Sequence, residues 1–138
     1  MFRRMGQTAA VITGVLGTAA GFVAVASAAP EADPVLCQYE MSGPRVVDVS
    51  GTPMVNASLK PTACNGTAEP TAMQVCVSVE GSSTAGKCAE LPGYGTAQVY
   101  LSPFVPGKTY TVRGRGCANQ AQPPLYFCST FGPTSATL

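Results

Sequence analysis

The stretch "AMQVCVSVE", Ala72 to Glu80, alternates between apolar side chains and other side chains. Met73, Val75, Val77 and Val79 share one parity, and Gln74, Cys76, Ser78 and Glu80 share the other. Successive side chains of a β-strand point to opposite faces, so this period of two predicts a strand with one buried face. The same period recurs in "MVNASLK" (Met54 to Lys60) and in "TAQVYLS" (Thr96 to Ser102).

Helix signals are missing from the rest of the chain. After residue 30 no segment keeps an i, i+3, i+4, i+7 apolar stripe, and Gly or Pro interrupts nearly every window. Further strands are predicted at Val35 to Met41, Arg45 to Ser50, Lys108 to Gly116, Leu125 to Phe131 and Thr134 to Leu138. Seven or eight short strands separated by turn residues predict an all-β fold, an antiparallel sandwich of two sheets over residues 35–138.

The first part of the chain has the layout of a secretory signal peptide. Arg3 and Arg4 precede an uncharged run that ends in the small-residue pattern Ala26-Ser27-Ala28. This pattern predicts a signal peptide over residues 1–28, cleavage after Ala28, and a flexible tail over residues 29–34. An uncleaved membrane anchor is the competing interpretation, because about 20 uncharged residues can span a bilayer.

The cysteines support export. All six follow the predicted cleavage point, and an even number in a small exported chain predicts three disulfides and an extracellular or cell-envelope location. Many pairings are possible, and the strand arrangement favours the sequential one. It places Cys37 opposite Cys64 on neighbouring strands and makes each later pair the base of a hairpin. The predicted bonds are Cys37–Cys64, Cys76–Cys88 and Cys117–Cys128.

The segment "LSPFVPGKTYTVRGRG", Leu101 to Gly116, carries a family resemblance. A Pro-Gly turn just before Tyr110 resembles the corner of immunoglobulin-like and fibronectin type III-like domains, where a tyrosine bonds back to the turn. The resemblance implies an immunoglobulin-like sandwich, although the chain lacks tryptophan and the cysteine placement of antibody domains. The leader's Ala, Gly and Val bias and the ending "GPTSATL" also resemble small exported proteins without an assigned function from actinobacteria such as mycobacteria.

Charge and composition exclude several functions. Without Arg3 and Arg4 the chain has six basic and seven acidic side chains, a net charge of −1, so we expect no nucleic-acid partner. There is no histidine for a catalytic triad, no C-x-x-C pair for zinc, and no glycine-rich phosphate loop opening a helix. The acidic residues are scattered. We therefore expect no catalytic residues, no cofactor, no metal and no enzyme activity, and no membrane span once the signal peptide is removed.

One loop is predicted to carry recognition. The segment Ala118 to Tyr126 lies inside the last disulfide, and its candidate contact residues are Gln120, Pro123, Pro124, Leu125 and Tyr126. The alternative is that Leu125 and Phe127 point into the core while Tyr126 and the proline pair stiffen an edge. The segment "ELPGYG", Glu90 to Gly95, is a second candidate with an aromatic tip.

These features favour a non-catalytic secreted or envelope-associated module that binds an unknown protein or glycan. Two alternatives remain open at this point. One is a protease inhibitor acting through the disulfide-braced loop Ala118 to Tyr126. The other is a carrier of a small apolar ligand.

Overall fold

The computed structural model describes residues 34–138 of this chain. The predicted signal peptide, and the predicted tail up to Asp33, lie outside the described residues. The described part forms eight β-strands and contains no helix. The strands are β1 (Cys37–Met41), β2 (Arg45–Val49), β3 (Thr52–Cys64), β4 (Ala68–Val79), β5 (Lys87–Pro92), β6 (Ala97–Leu101), β7 (Thr109–Gln120) and β8 (Leu125–Thr137).

The first sheet, sheet A, is built around β3. Leu59 pairs with Met41 of β1 and also with Ala97 of β6, so β1 and β6 lie on opposite edges of β3. Val55 likewise pairs with Val46 of β2 and with Leu101 of β6. Strands β1 and β2 therefore follow one another along the same edge of β3, and all pairings are antiparallel.

The second sheet, sheet B, has four antiparallel strands in the order β5-β4-β7-β8. Its register places Cys76 opposite Cys88, and Cys117 opposite Cys128. Strand β8 is interrupted by a register shift next to Gly132 and Pro133, where Gly114 pairs with Phe131 and Val112 with Thr134. The two strands predicted at the end of the chain are thus one strand with an irregularity.

The core lies between the two sheets, and the alternating segments supply it. It combines apolar side chains from β3 and β6 of sheet A with those from β4 and β7 of sheet B: Val55, Ala57, Leu59, Ala97, Val99, Met73, Val75, Val77, Tyr110 and Val112. A smaller cluster at one end contains Leu36, Cys37, Ala68 and Ala118, with Phe127 packed against it. The predicted fold class, an all-β sandwich of two antiparallel sheets linked internally by disulfides, is confirmed.

Two further details of the strand prediction are wrong. Strand β5 is not among the strands predicted from alternation, although the predicted Cys76–Cys88 hairpin requires an arm there, and its backbone pairs with β4 from Val77↔Lys87 to Ala72↔Pro92. Strands β3, β4, β7 and β8 are also longer than predicted, with 12 or 13 residues each. Both differences arise because pairing with a neighbouring strand extends regular structure beyond the segments of clear alternation.

The three disulfides join Cys37 to Cys64, Cys76 to Cys88, and Cys117 to Cys128, which is the sequential pairing. Each bond links two neighbouring strands of one sheet. Cys37 is buried in the smaller core cluster, whereas Cys76 and Cys117 share the parity of outward-facing positions on β4 and β7. The disulfides therefore secure strand register within each sheet, while the contact between the sheets depends on apolar packing.

Tyr110 makes the backbone contact expected of the corner. Its side chain is fully buried, and its hydroxyl accepts a hydrogen bond from the Val105 amide at 2.9 Å and donates one to the Val105 carbonyl at 3.2 Å. The ring also packs against Phe104, with ring centroids 6.2 Å apart. The turn that precedes β7 is thereby attached to the core. The immunoglobulin-like assignment itself stays a prediction.

The glycines of "RGRG" make room for a residue of the facing sheet. A Cβ added to Gly116 would lie 2.7 Å from ring atoms of Tyr39, and one added to Gly114 would lie 3.0 Å from the Met41 sulfur. Tyr39 crosses from β1 to sheet B, where its hydroxyl donates to the Cys117 carbonyl at 2.8 Å and its ring packs against Phe131. The glycines thus face the core, whereas Arg113 and Arg115 alternate with them and are exposed.

Candidate functional site

A groove on the outer face of sheet B is the candidate functional site. Its volume is about 270 Å³, it is open to solvent, and it spans all four strands of the sheet. The residues that line it are Ala72, Met73 and Gln74 of β4, Glu90, Leu91 and Pro92 of β5, Arg115 and Cys117 of β7, and Tyr126 of β8. We call the surface formed by these residues the groove.

Register brings these residues together. Gln74 pairs with Glu90 on one side and with Arg115 on the other, and Ala72 pairs with Pro92 and Cys117. Outward-pointing side chains of adjacent strands lie about 5 Å apart when directly opposite, so the paired rows form a continuous surface. The inward-facing alternate positions on β4 and β7 belong to the core, and this fixes the orientation of the row above them.

The polar side chains of the groove are held in place. The Gln74 amide donates a hydrogen bond to the Glu90 carboxylate, so one carboxylate oxygen is already engaged. No carboxylate in residues 34–138 forms an ion pair with Arg115, since the ion pair found there joins Lys60 to Glu40. The groove thus contains an acidic side chain, Glu90, and a basic side chain, Arg115, that form no direct ion pair with each other.

A disulfide forms the wall next to β8. Arg115 Nη2 donates to Cys128 Sγ at 3.3 Å, and the Tyr126 hydroxyl lies 3.4 Å from the same sulfur. A disulfide sulfur carries no hydrogen, so the hydroxyl is the donor in this second contact. Both side chains therefore converge on the Cys117–Cys128 bond, and Cys117 is only 5% exposed although it faces outwards.

Tyr126 is the exposed aromatic side chain of the groove. Its relative exposure is 60%, so most of its ring is accessible. On the other side of β7, burial and the neighbouring Tyr126 raise the pKa of Tyr39, whose hydroxyl is bonded to the Cys117 carbonyl. The backbone at Cys117 therefore has an aromatic residue on each side of the sheet.

The predicted binding loop is mostly strand. Gln120 ends β7 and pairs with Leu125, the first residue of β8, so the connecting loop consists of residues 121–124. Pro123 and Pro124 are exposed in that loop, and the Gln120 amide donates to the Gln122 carbonyl at 3.0 Å and contacts the Pro123 carbonyl at 3.4 Å. Leu125 is 38% exposed, and Phe127 packs against the smaller core cluster.

Of the five predicted contact residues, Tyr126 lines the groove. Gln120, Pro123, Pro124 and Leu125 do not. The groove also takes in Glu90, Leu91 and Pro92 from the second candidate segment, "ELPGYG". Gln74 and Arg115 were missed, because they read as ordinary outward-facing strand positions and only the register reveals their proximity.

Tyr94 lies at a second, different hollow. It is 67% exposed and borders an open space of about 360 Å³ that is otherwise lined by the end of β3, the β3–β4 turn and the start of β4. The residues there are Pro61, Thr62, Ala63, Cys64, Gly66 and Ala68. None of these has a charged side chain, so this hollow offers fewer specific contacts than the groove.

Two features are absent from residues 34–138. In that range no three His, Cys, Asp or Glu side chains are grouped so that they could hold a metal ion. No helix long and apolar enough to cross a membrane is found there.

Comparison with protein-family models, with curated proteins and with solved structures gives no match. What defines the class of this chain is therefore its own architecture, a two-sheet antiparallel sandwich with three disulfides within the sheets.

Proposed function

We propose that this chain is a non-catalytic, secreted or envelope-associated binding module that contacts a protein or a glycan through the groove. The observation that carries the proposal is the convergence of Arg115 and Tyr126 on the Cys117–Cys128 disulfide, beside the Gln74–Glu90 pair. Side chains fixed on paired strands lose little freedom when a ligand binds, which favours recognition. Three disulfides support an oxidising compartment outside the cytoplasm.

The chemistry of the groove suits a polar ligand with an apolar face. The exposed Tyr126 ring and the apolar side chains of Ala72 and Pro92 offer a surface against which a flat apolar group can pack. Gln74, Glu90 and Arg115 supply both donors and acceptors around it. Among residues 34–138, Glu90 is the single acidic residue in the lining, so these residues do not supply the pair of carboxyl groups that most glycoside hydrolases use.

The immunoglobulin-like assignment belongs to the same proposal. The Tyr110–Val105 contact and the grouping of β1/β2, β3 and β6 against β5, β4, β7 and β8 support it. An origin among small exported actinobacterial proteins is likewise part of the proposal. It rests on the leader and the "GPTSATL" ending.

The geometry favours this function over the two alternatives. An inhibitor needs a protruding reactive loop, and the loop between β7 and β8 is reduced to residues 121–124. A carrier of an apolar ligand needs an enclosed apolar cavity of about 300 Å³ or more. The groove has about 270 Å³ and is open, while the larger hollow beside Tyr94 is open as well.

The test is a capture experiment with the oxidised protein. Immobilised protein is exposed to envelope extract and, separately, to an array of neutral and acidic glycans. Three variants are compared with the wild type: Tyr126→Ala and Arg115→Ala in the groove, and Tyr94→Ala as a matched loss of an exposed tyrosine outside it.

We expect at least about a tenfold loss of captured ligand for each groove variant, because truncating a central aromatic or arginine contact commonly costs more than about 1.4 kcal/mol. Tyr94→Ala should bind like the wild type. Equal binding by all four proteins, or loss in Tyr94→Ala alone, would place recognition elsewhere.

A further inference from the structure

The outer edges of the two sheets differ in how they are protected against pairing with another strand. Exposed edge strands usually avoid pairing with other molecules because they carry charges, prolines or bulges, or because they are short. Strand β5 carries Lys87 and Glu90 and ends in Pro92, while the β1/β2 edge carries charged side chains at Glu40, Arg45 and Asp48. Strand β6 has only five residues.

Strand β8 is the exception. It has 13 residues, contains no Asp, Glu, Lys or Arg, and is the outermost strand of sheet B. Its irregularity lies at Gly132 and Pro133, which leaves Leu125 to Phe131 in unbroken register with β7. Within residues 34–138 no strand lies beyond it. Its first seven residues are therefore an open edge without charge.

The register shows which backbone groups face that edge. In an antiparallel pair, opposite Cα atoms lie about 4.5 Å apart at non-hydrogen-bonded positions and about 5.5 Å apart at hydrogen-bonded ones. The Cα atoms of Cys117 and Cys128 are 4.0 Å apart, so this is a non-hydrogen-bonded pair. The amide and carbonyl of Cys128 consequently point away from β7, and by the period of two so do those of Tyr126 and Thr130.

We propose that this edge pairs with the same edge of a second copy of the chain, antiparallel and about a two-fold axis at Cys128. Each outward-facing residue then exchanges two backbone hydrogen bonds with its counterpart, Cys128 with Cys128 and Tyr126 with Thr130. The two four-stranded sheets become one continuous sheet across the pair. The contact is isologous, so it closes after two copies and does not propagate.

The side chains make β8 compatible with itself. In this register Tyr126 of one copy stands beside Thr130 of the other, and the symmetry repeats the contact. Aromatic and β-branched residues in opposite positions stabilise a strand pair. No like charges oppose each other, because the strand has none, and the formal net charge is only +1 for the full chain and −1 without Arg3 and Arg4. A partner of strong charge would gain nothing at this edge, which favours a second copy.

The dimer is expected to be weak. Pairing one short edge buries less than the roughly 1,000 Å² of stable interfaces, so the dissociation constant should fall in the micromolar range. Sedimentation equilibrium of the purified protein with its disulfides formed, from about 1 to about 500 µM, covers that range. We expect a reversible monomer–dimer equilibrium. A protein that remains monomeric over the whole range overturns the proposal.

Charge swaps test the register. In the double variant Tyr126→Lys/Thr130→Lys, each lysine stands opposite a lysine of the other copy, and Tyr126→Glu/Thr130→Glu does the same with glutamates. Each variant alone should dimerise at least about tenfold more weakly, because like charges opposite one another destabilise the pair. A mixture of the two should form a mixed dimer, since every lysine then faces a glutamate. Failure of the mixture to associate contradicts the register.

Two more variants separate pairing from folding. Val46→Lys/Val49→Lys introduces the same charges on β2, where both valines are exposed, and should dimerise like the wild type. Thr130→Pro removes an outward-facing amide without removing a bond to β7, and should give a folded monomer by thermal melting. Dimerisation lost in the β2 variant, or retained in folded Thr130→Pro, would overturn the proposal.

Discussion

The two faces of strand β7 differ in what constrains the size of their side chains. On the inner face Tyr110, Val112 and Gly116 are fully or almost fully buried, and their sizes are dictated by the side chains of sheet A that they meet. On the outer face Arg113 and Arg115 are exposed. One strand therefore carries the constraints of the fold and of the candidate site on alternate residues. Substitutions on the two faces should have separable effects.

The largest expected effect is that of Gly116→Ala. The new methyl group would lie 2.7 Å from the Tyr39 ring, which cannot retreat easily because its hydroxyl is bonded to the Cys117 carbonyl and its ring packs on Phe131. We expect a loss of about 3 kcal/mol in the free energy of unfolding, typical of an overpacked core. Denaturant unfolding with the disulfides intact measures it.

The control for that variant is Arg115→Ala, one residue away on the outer face. Its exposed side chain forms no ion pair with a carboxylate of residues 34–138, so the free energy of unfolding should stay within about 0.5 kcal/mol of wild type. Equal stability of the two variants would contradict the assignment of the two faces.

Tyr110→Phe should have an intermediate effect. It removes the hydroxyl that serves both the amide and the carbonyl of Val105, while the ring and its packing on Phe104 remain. Losing a donor and an acceptor in a partly buried site should cost about 2 kcal/mol. Tyr100→Phe is the matched control, because that hydroxyl bonds to Gln98 at an exposed position. Similar losses in both variants would mean that the corner contact adds nothing to stability.

Tyr39→Phe should have the smallest effect of the three, about 1 kcal/mol at neutral pH for the lost bond to Cys117. The effect should also depend on pH. Burial and Tyr126 raise the pKa of Tyr39 in the folded chain, so the folded state favours the neutral hydroxyl. The stability that the raised pKa contributes is complete below the ordinary tyrosine pKa of about 10. It is lost as the pH rises through the pKa of Tyr39 in the folded chain.

The measurement is the difference in unfolding free energy between the wild type and Tyr39→Phe from about pH 8 to about pH 11.5, a range that brackets tyrosine ionisation. Residues 34–138 contain no free cysteine to initiate disulfide exchange at alkaline pH. We expect the difference to shrink above pH 10. A difference that grows with pH would mean that the folded chain favours the tyrosinate.

The sequence was sufficient to predict the elements with strong alternation. In β3, β4 and β6 the inward-facing residues are also the apolar ones, and the exception is the polar Asn56, which is buried with its amide bonded to Arg45 and to the Val99 carbonyl. The role of Tyr110 could be predicted because its Pro-Gly turn is local. Strand β5 could not be predicted from alternation, because only its Ala89 and Leu91 pack towards the core and the strand depends on its pairing with β4.

The candidate site was predicted less completely. Tyr126 is among the predicted contact residues because it is an aromatic residue in the segment that the last disulfide closes, and it lines the groove. Gln74, Glu90 and Arg115 lie on three different strands, and their proximity depends on register across β5, β4 and β7. Such a relation between distant segments has no local signature. The predicted loop Ala118 to Tyr126 is too long, because pairing with β8 keeps Ala118 to Gln120 in β7. This pairing, too, has no local signature in the sequence.

The order of the disulfides along the chain determines how it responds to proteolysis. The three closed loops follow one another without overlap, so Cys88 and Cys117 have no covalent link between them other than the backbone. A protease that cuts beside the exposed Tyr94 would therefore release two separate fragments on a non-reducing gel. A cut in residues 121–124 would leave one covalent molecule, because the Cys117–Cys128 bond closes around it. The β3–β4, β5–β6 and β6–β7 connections all lie outside the disulfide-closed loops, so a single cleavage in any of them divides the chain.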